Sequence, residues 1–201
     1  MNNMEQFQTD IHPDGELEES TKQASPKRVI IDFLETILLA LFLFLAINSV
    51  SARIRIESIS MQPTLYAGNF VIVSKLSYKI GSPHRGDIII FRYPPDPERE
   101  PYIKRVIGLP GDDVKVSNGI VLVNDIPLDE PYINERPDYD GSWLVPENSL
   151  FVLGDNRRLS SDSHSWGMVP LENVIGKALV VYWPPENWQL LDRTIAIASD
   201  P

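Results

Sequence analysis

The chain has 201 residues, enough for one domain with appendages, and 43% of them are hydrophobic, enough to bury a core. A formal net charge of -10 excludes nucleic acid as a main partner, because a phosphate backbone calls for a cationic surface. With no cysteine there is no disulfide, thiolate nucleophile or cysteine metal site, and 17 prolines confine long helices to one segment.

Residues 1–28 are mostly polar, with acids at Asp14, Glu16, Glu18 and Glu19. Such a segment buries too little apolar area to offset its ordering entropy and reads as a disordered tail. Residues 29–52 are strongly apolar, and at about 1.5 Å per residue the stretch 30–50 reaches roughly 30 Å, the thickness of a hydrocarbon core. Asp32 and Glu35 are placed in its first turn, where acids suit the positive end of a helix dipole. Lys22, Lys27 and Arg28 precede the span while Arg53 and Arg55 follow it, so charge asymmetry gives little orientation signal. Three readings compete: a transmembrane anchor, a cleaved secretory signal ending at Val50-Ser51-Ala52, and a buried core helix.

From Arg53 onward, short β-branched runs alternate with turn signals. They are Phe70-Val71-Ile72-Val73, Asp87-Ile88-Ile89-Ile90-Phe91, residues 103–107, Asp113-Val114-Lys115-Val116, Ile120-Val121-Leu122-Val123, Leu150-Phe151-Val152-Leu153 and residues 178–182. Ser117-Asn118-Gly119 between two of them reads as a hairpin turn. Many short strands without alternating helices predict an all-β sheet or barrel-like domain over 53–195, with a small excursion at 112–148 and a tail at 196–201. Residues 127–143 read as irregular.

Four segments stand out from this pattern. Glu57-Ser58-Ile59-Ser60-Met61-Gln62-Pro63-Thr64-Leu65 follows the span, and by itself is an ordinary turn with capping serines. Arg85-Gly86-Asp87-Ile88 reads as a structural turn entering a buried strand. Lys104 lies in the apolar run of residues 102–107; on a solvated face it would be inert, but burial lowers a lysine's pKa and a neutral amine can take a serine's proton. Residues 154–167 form a polar loop whose acidic spacing does not fit a calcium hand. His12, His84 and His164 are isolated, and no metal, nucleotide or dinucleotide motif is present.

Together the four segments resemble the bacterial type I signal peptidase family. Ser60 to Leu65 matches its Ser-Met-x-Pro-Thr-Leu block, Arg85 to Ile88 its Arg-Gly-Asp-Ile block, and residues 102–112 and 154–167 the other two, in order and behind the apolar span. The resemblance implies a mostly antiparallel β catalytic domain outside the cytoplasm, held by a single N-terminal transmembrane helix behind a cytoplasmic tail. It implies a serine endopeptidase that removes signal peptides from exported preproteins, cleaving after small residues (Ala-x-Ala). Ser60 is then the nucleophile and Lys104 the base. Ser58 serves the oxyanion beside the Ser60 N–H, Ser160 orients the lysine, and Asp162 braces the site with Arg157 and His164. His164 departs from the arginine often found there, which makes that brace pH-dependent. Ile56, Met61, Leu65, Tyr102 and Ile103, neighbours of the two catalytic positions, are candidates for the substrate pocket. No metal or organic cofactor is implied. Expected partners are signal peptides, the lipid bilayer and the nearby secretion translocon. The expected location is the plasma membrane, with the thylakoid membrane as the alternative. Another serine–lysine protease and a non-catalytic anchored β-domain are the rival readings.

Overall fold

The computed structural model describes residues 26–191. Expectations for the tail over 1–25 and for 192–201 lie outside the described residues. The described residues divide into two units, with the boundary between Leu43 and Phe44.

Helix α1 covers Pro26–Val50. Pro26 suits the first helical position, where no N–H partner is lost. The helix therefore starts earlier than expected, and no acid falls in its first turn. Asp32 and Glu35 sit further in and do not meet the dipole end, which corrects the expected placement. Thr36 Oγ1 donates to Asp32 O (2.8 Å) and Ser49 Oγ to Ala46 O (2.7 Å), so these two hydroxyls are satisfied within the helix. From Lys27 to Val50 it is long and apolar enough to cross a membrane, and none of it is buried in protein. That removes the core-helix reading.

The remaining elements are β1 (Ser51–Arg55), β2 (Phe70–Ser74), α2 (Ser77–Ile80), β3 (Ile88–Phe91), β4 (Tyr102–Gly108), β5 (Asp113–Ser117), β6 (Ile120–Val123), β7 (Ile126–Pro127), β8 (Gly141–Leu144), β9 (Ser149–Leu153), α3 (Ser163–Trp166), β10 (Val169–Pro170), β11 (Val174–Trp183) and β12 (Gln189–Leu190). The larger sheet runs β1-β2-β11-β3-β4-β9-β10, with β12 on β11, and the smaller one runs β7-β6-β5-β8. Their strand pairs are antiparallel, as expected for a mostly β domain. Ser51 and Ala52 belong to β1, paired with Ser74 and Val73, and not to the apolar span.

The smaller sheet grows from residues 113–144. Asn118 and Gly119, both at positive φ, close the β5–β6 hairpin in the two-residue form that matches strand twist. The alternation of β5 turns Val114 and Val116 inward against Phe151 and Leu153. In the larger sheet, β3 is buried on both faces: Ile88 and Ile90 join one core cluster, Ile89 and Phe91 another. A continuous apolar run is what such a doubly covered strand requires. β4 lies between β3 and β9, so Lys104, opposite Ile89, is carried in the middle of the sheet.

Candidate active site

Ser60 sits in a tight turn after β1. Met61 and Leu65 are both fully buried, and the Leu65 N–H donates to Met61 O (2.8 Å). These two side chains anchor the turn in the core and leave Ser60 at the wall of a groove. From the other side, the Asn156 N–H donates to Ser60 O (3.0 Å) and Asn156 Nδ2 to Ile59 O (3.2 Å). Gly154 makes this approach feasible: a Cβ there would overlap Ser160 Oγ and meet Ser60 O at 2.5 Å.

Lys104 is 4% exposed, and its Nζ lies 2.7 Å from Ser60 Oγ and 3.0 Å from Ile103 O. Burial pulls its pKa down from 10.5 to about 8, against the opposing pull of the Asp162 and Asp155 charges. The amine is therefore within reach of the neutral form near physiological pH, with a hydroxyl at hydrogen-bonding distance. Ser58 Oγ is 3.2 Å from Ser60 Oγ, on the same wall. Among the described residues the Ser60 N–H enters no backbone hydrogen bond.

The groove has a volume of about 490 Å³. Its apolar lining includes Ile54, Ile56, Ile90, Tyr102 and Ile103, beside Ser58, Ser60 and Lys104. Of the five expected pocket residues, Ile56, Tyr102 and Ile103 line it. Met61 and Leu65 do not; turn geometry directs them into the core.

Ser160 also differs from expectation. Its buried Oγ makes no hydrogen bond, so Lys104 is oriented by Ser60 and the Ile103 carbonyl instead. Asp162 is fully buried at the N-terminus of α3. Its Oδ2 accepts the Gly154 N–H (2.9 Å) and its Oδ1 lies 2.6 Å from His164 Nδ1. Arg157 is not brought to Asp162. Its guanidinium pairs with Glu130, by Nη1 to Oε2 at 2.8 Å and by Nη2 to Oε1, and its Nε donates to Gly154 O (3.1 Å). Burial disfavours the Arg157 charge, but the Glu130 carboxylate overrides this and raises its pKa.

The sequence reading missed a buried polar network behind the site. Arg105 grips Asp155 through Nε to Oδ1 (2.8 Å) and Nη2 to Oδ2 (2.7 Å), and its guanidinium lies 4.0 Å from the Tyr132 ring centre. Thr64 Oγ1 donates to the same carboxylate. Thr64, Arg105 and Asp155 lie within segments that stand out in the sequence, but nothing local shows that they pair with one another or with Tyr132. The Arg85-Gly86-Asp87 turn is structural, as expected: Arg85 pairs with Asp112 (3.0 Å), and Asp87 takes hydrogen bonds from Lys177 (2.6 Å) and Tyr78 (2.9 Å). No cluster of metal-ligating side chains occurs among the described residues.

Residues 30–183 match the family model described as signal peptidase, peptidase S26. The chain is similar to a signal peptidase I of Leptolyngbya laminosa, 47% identical over 77% of this chain and 80% of that protein. It is similar to a probable signal peptidase I-2 of Synechocystis, 42% identical over 85% of this chain and 81% of that protein. It also resembles thylakoidal processing peptidase 1 of Arabidopsis thaliana, 42% identical over 66% of this chain and 42% of that longer protein.

Proposed function

The chain belongs to the signal peptidase family, peptidase S26, as a type I signal peptidase, and from that premise we propose that it removes signal peptides with a Ser60–Lys104 dyad, cutting after small residues at Ala-x-Ala sites. The observation that carries the dyad is the 2.7 Å approach of Lys104 Nζ to Ser60 Oγ inside the groove. Neutral Lys104 takes the Ser60 proton as Oγ attacks the scissile carbonyl. The oxyanion meets the Ser60 N–H and the Ser58 hydroxyl; removing one such donor typically costs about 10²–10³ in rate. The ammonium then protonates the leaving amine, leaving an ester on Ser60. Lys104, neutral again, takes a proton from water as its oxygen attacks the ester, and returns that proton to Ser60 Oγ as the ester bond breaks and frees the signal peptide's C-terminus.

The apolar groove beside the dyad, lined by Ile56, Tyr102 and Ile103, is where the small apolar residues before the cleavage point would bind. The apolar helix α1 fits a membrane anchor, with preproteins delivered in the same bilayer from the translocon. Bacterial and thylakoidal relatives both occur, and our reading is the plasma membrane with the β domain on its outer face.

The test is cleavage of a purified preprotein in detergent by wild type, Ser60→Ala and Lys104→Ala. Wild type alone should cut, at the Ala-x-Ala site. Cleavage by Lys104→Ala would remove the lysine from the mechanism, and no cleavage by folded wild type would remove the peptidase reading.

A further inference from the structure

The loop that grips Ser60 is itself braced from the smaller sheet. The Tyr139 ring, just before β8, stacks face to face on the His164 imidazole, with centroids 4.0 Å apart and planes 11° from parallel. Its edge is set by Trp143, at 6.4 Å and 83°, and Trp143 in turn packs on Phe151 of β9 at 5.1 Å. The Tyr139 hydroxyl is buried and makes no hydrogen bond, so the ring and not the hydroxyl is the working part. His164 Nδ1 faces Asp162 Oδ1 at 2.6 Å, Asp162 Oδ2 holds the Gly154 N–H, and two residues on the Asn156 N–H holds Ser60 O.

We propose that Tyr139 is a positioning residue for the Ser60–Lys104 pair: its ring keeps the His164 imidazole on Asp162, and Asp162 fixes the loop under Ser60 through the Gly154 N–H. The inference rests on the peptidase reading above. An N–H directed at Oδ1 offsets the Asp162 charge. If the imidazole swings away, more of that charge acts on Lys104, favours the ammonium, and the base is freed only at higher pH. The charged groups are Asp162 on the cap of α3, with Asp138, Glu130 and Arg157 around Tyr139, and Asp155, whose charge also acts on Lys104.

The experiment uses the full chain in detergent micelles and a peptide carrying an Ala-x-Ala site, with kcat and KM followed against pH. Tyr139→Leu should lower kcat by up to about 10²-fold, as misplacements of about 1 Å between reacting groups do. It should leave KM nearly unchanged and move the acid limb to higher pH. Tyr139→Phe keeps the ring and should restore the wild-type profile. His164→Arg, permanently charged, should move the limb to lower pH. Should the leucine variant not fold, His164→Ala removes the same stack from its other side and is expected to shift the limb upward. An acid limb unmoved in these variants, or a Phe variant as impaired as Leu, overturns the proposal. Failure of wild type to cleave the peptide overturns instead the peptidase reading.

Discussion

Burial acts on Lys104 twice, once as chemistry and once as a cost to folding. Its folded pKa of about 8 lies below the 10.5 of the exposed side chain. Between those values the unfolded chain binds the extra proton, so stability rises with pH across that window, and below about pH 8 the full penalty stands. At about 1.4 kcal/mol per unit, the shift corresponds to about 3 kcal/mol. Lys104→Met, similar in volume and uncharged, should therefore abolish cleavage and raise the thermal midpoint at pH 7. Calorimetry at pH 7 and pH 10 tests this: the gain should shrink at the higher pH, and a variant less stable than wild type at both would contradict it. With Lys104 as the proposed base, wild-type activity should climb with pH through about 8 as the amine becomes neutral. A profile flat from about pH 6 to 9 would exclude Lys104 as the base.

Elements bring together what single residues could not announce. β4 carries Lys104 and Arg105 side by side, one toward Ser60 and the other to Asp155 beyond β9. Asp155 is fully buried, so truncating it leaves a guanidinium without its counter-charge. Asp155→Ala should cost about 3–5 kcal/mol in denaturant unfolding, more than replacing both partners together as Arg105→Met with Asp155→Leu. Equal losses in the two variants would mean that the pair contributes through packing and not charge. The runs that became β2, β3, β5, β6 and β9 were legible because continuous or alternating β-branched residues declare burial locally. β7, β10 and β12 are two-residue strands, two of them containing proline, and exist only because a partner strand is presented to them. The site divides the same way. Ser60 and Lys104 stood out by motif and by a cation in an apolar run. Met61 and Leu65 were misassigned because a turn, and not sequence adjacency, decides which side chains face the groove. The Arg157–Glu130 and Tyr139–His164 contacts join the smaller sheet's segment to the loop of residues 154–167 across chain separations that leave no local trace.

At the scale of the whole chain, α1 and the β domain answer to different solvents. The apolar side chains of α1, among them Leu34, Phe42 and Leu45, are all exposed, an arrangement stable in hydrocarbon and unfavourable in water. Thr36 and Ser49 bond back within the helix, which lowers the cost of carrying their hydroxyls through an apolar layer. As a membrane anchor, α1 is expected to supply length and apolarity and not sequence. Exchanging it for an unrelated apolar helix of equal length should leave the protein in the pellet after alkaline carbonate extraction and leave cleavage of membrane-inserted preproteins intact. Leu39→Lys with Phe42→Lys should behave oppositely, since two cations at mid-span oppose insertion by about 5–7 kcal/mol. That variant should appear in the carbonate supernatant. It should cut membrane-inserted preprotein poorly while still hydrolysing a short soluble peptide, because the groove is built from the β domain alone. If the charged helix stayed in the membrane, or if the neutral exchange stopped cleavage, α1 would carry sequence-specific work beyond anchoring.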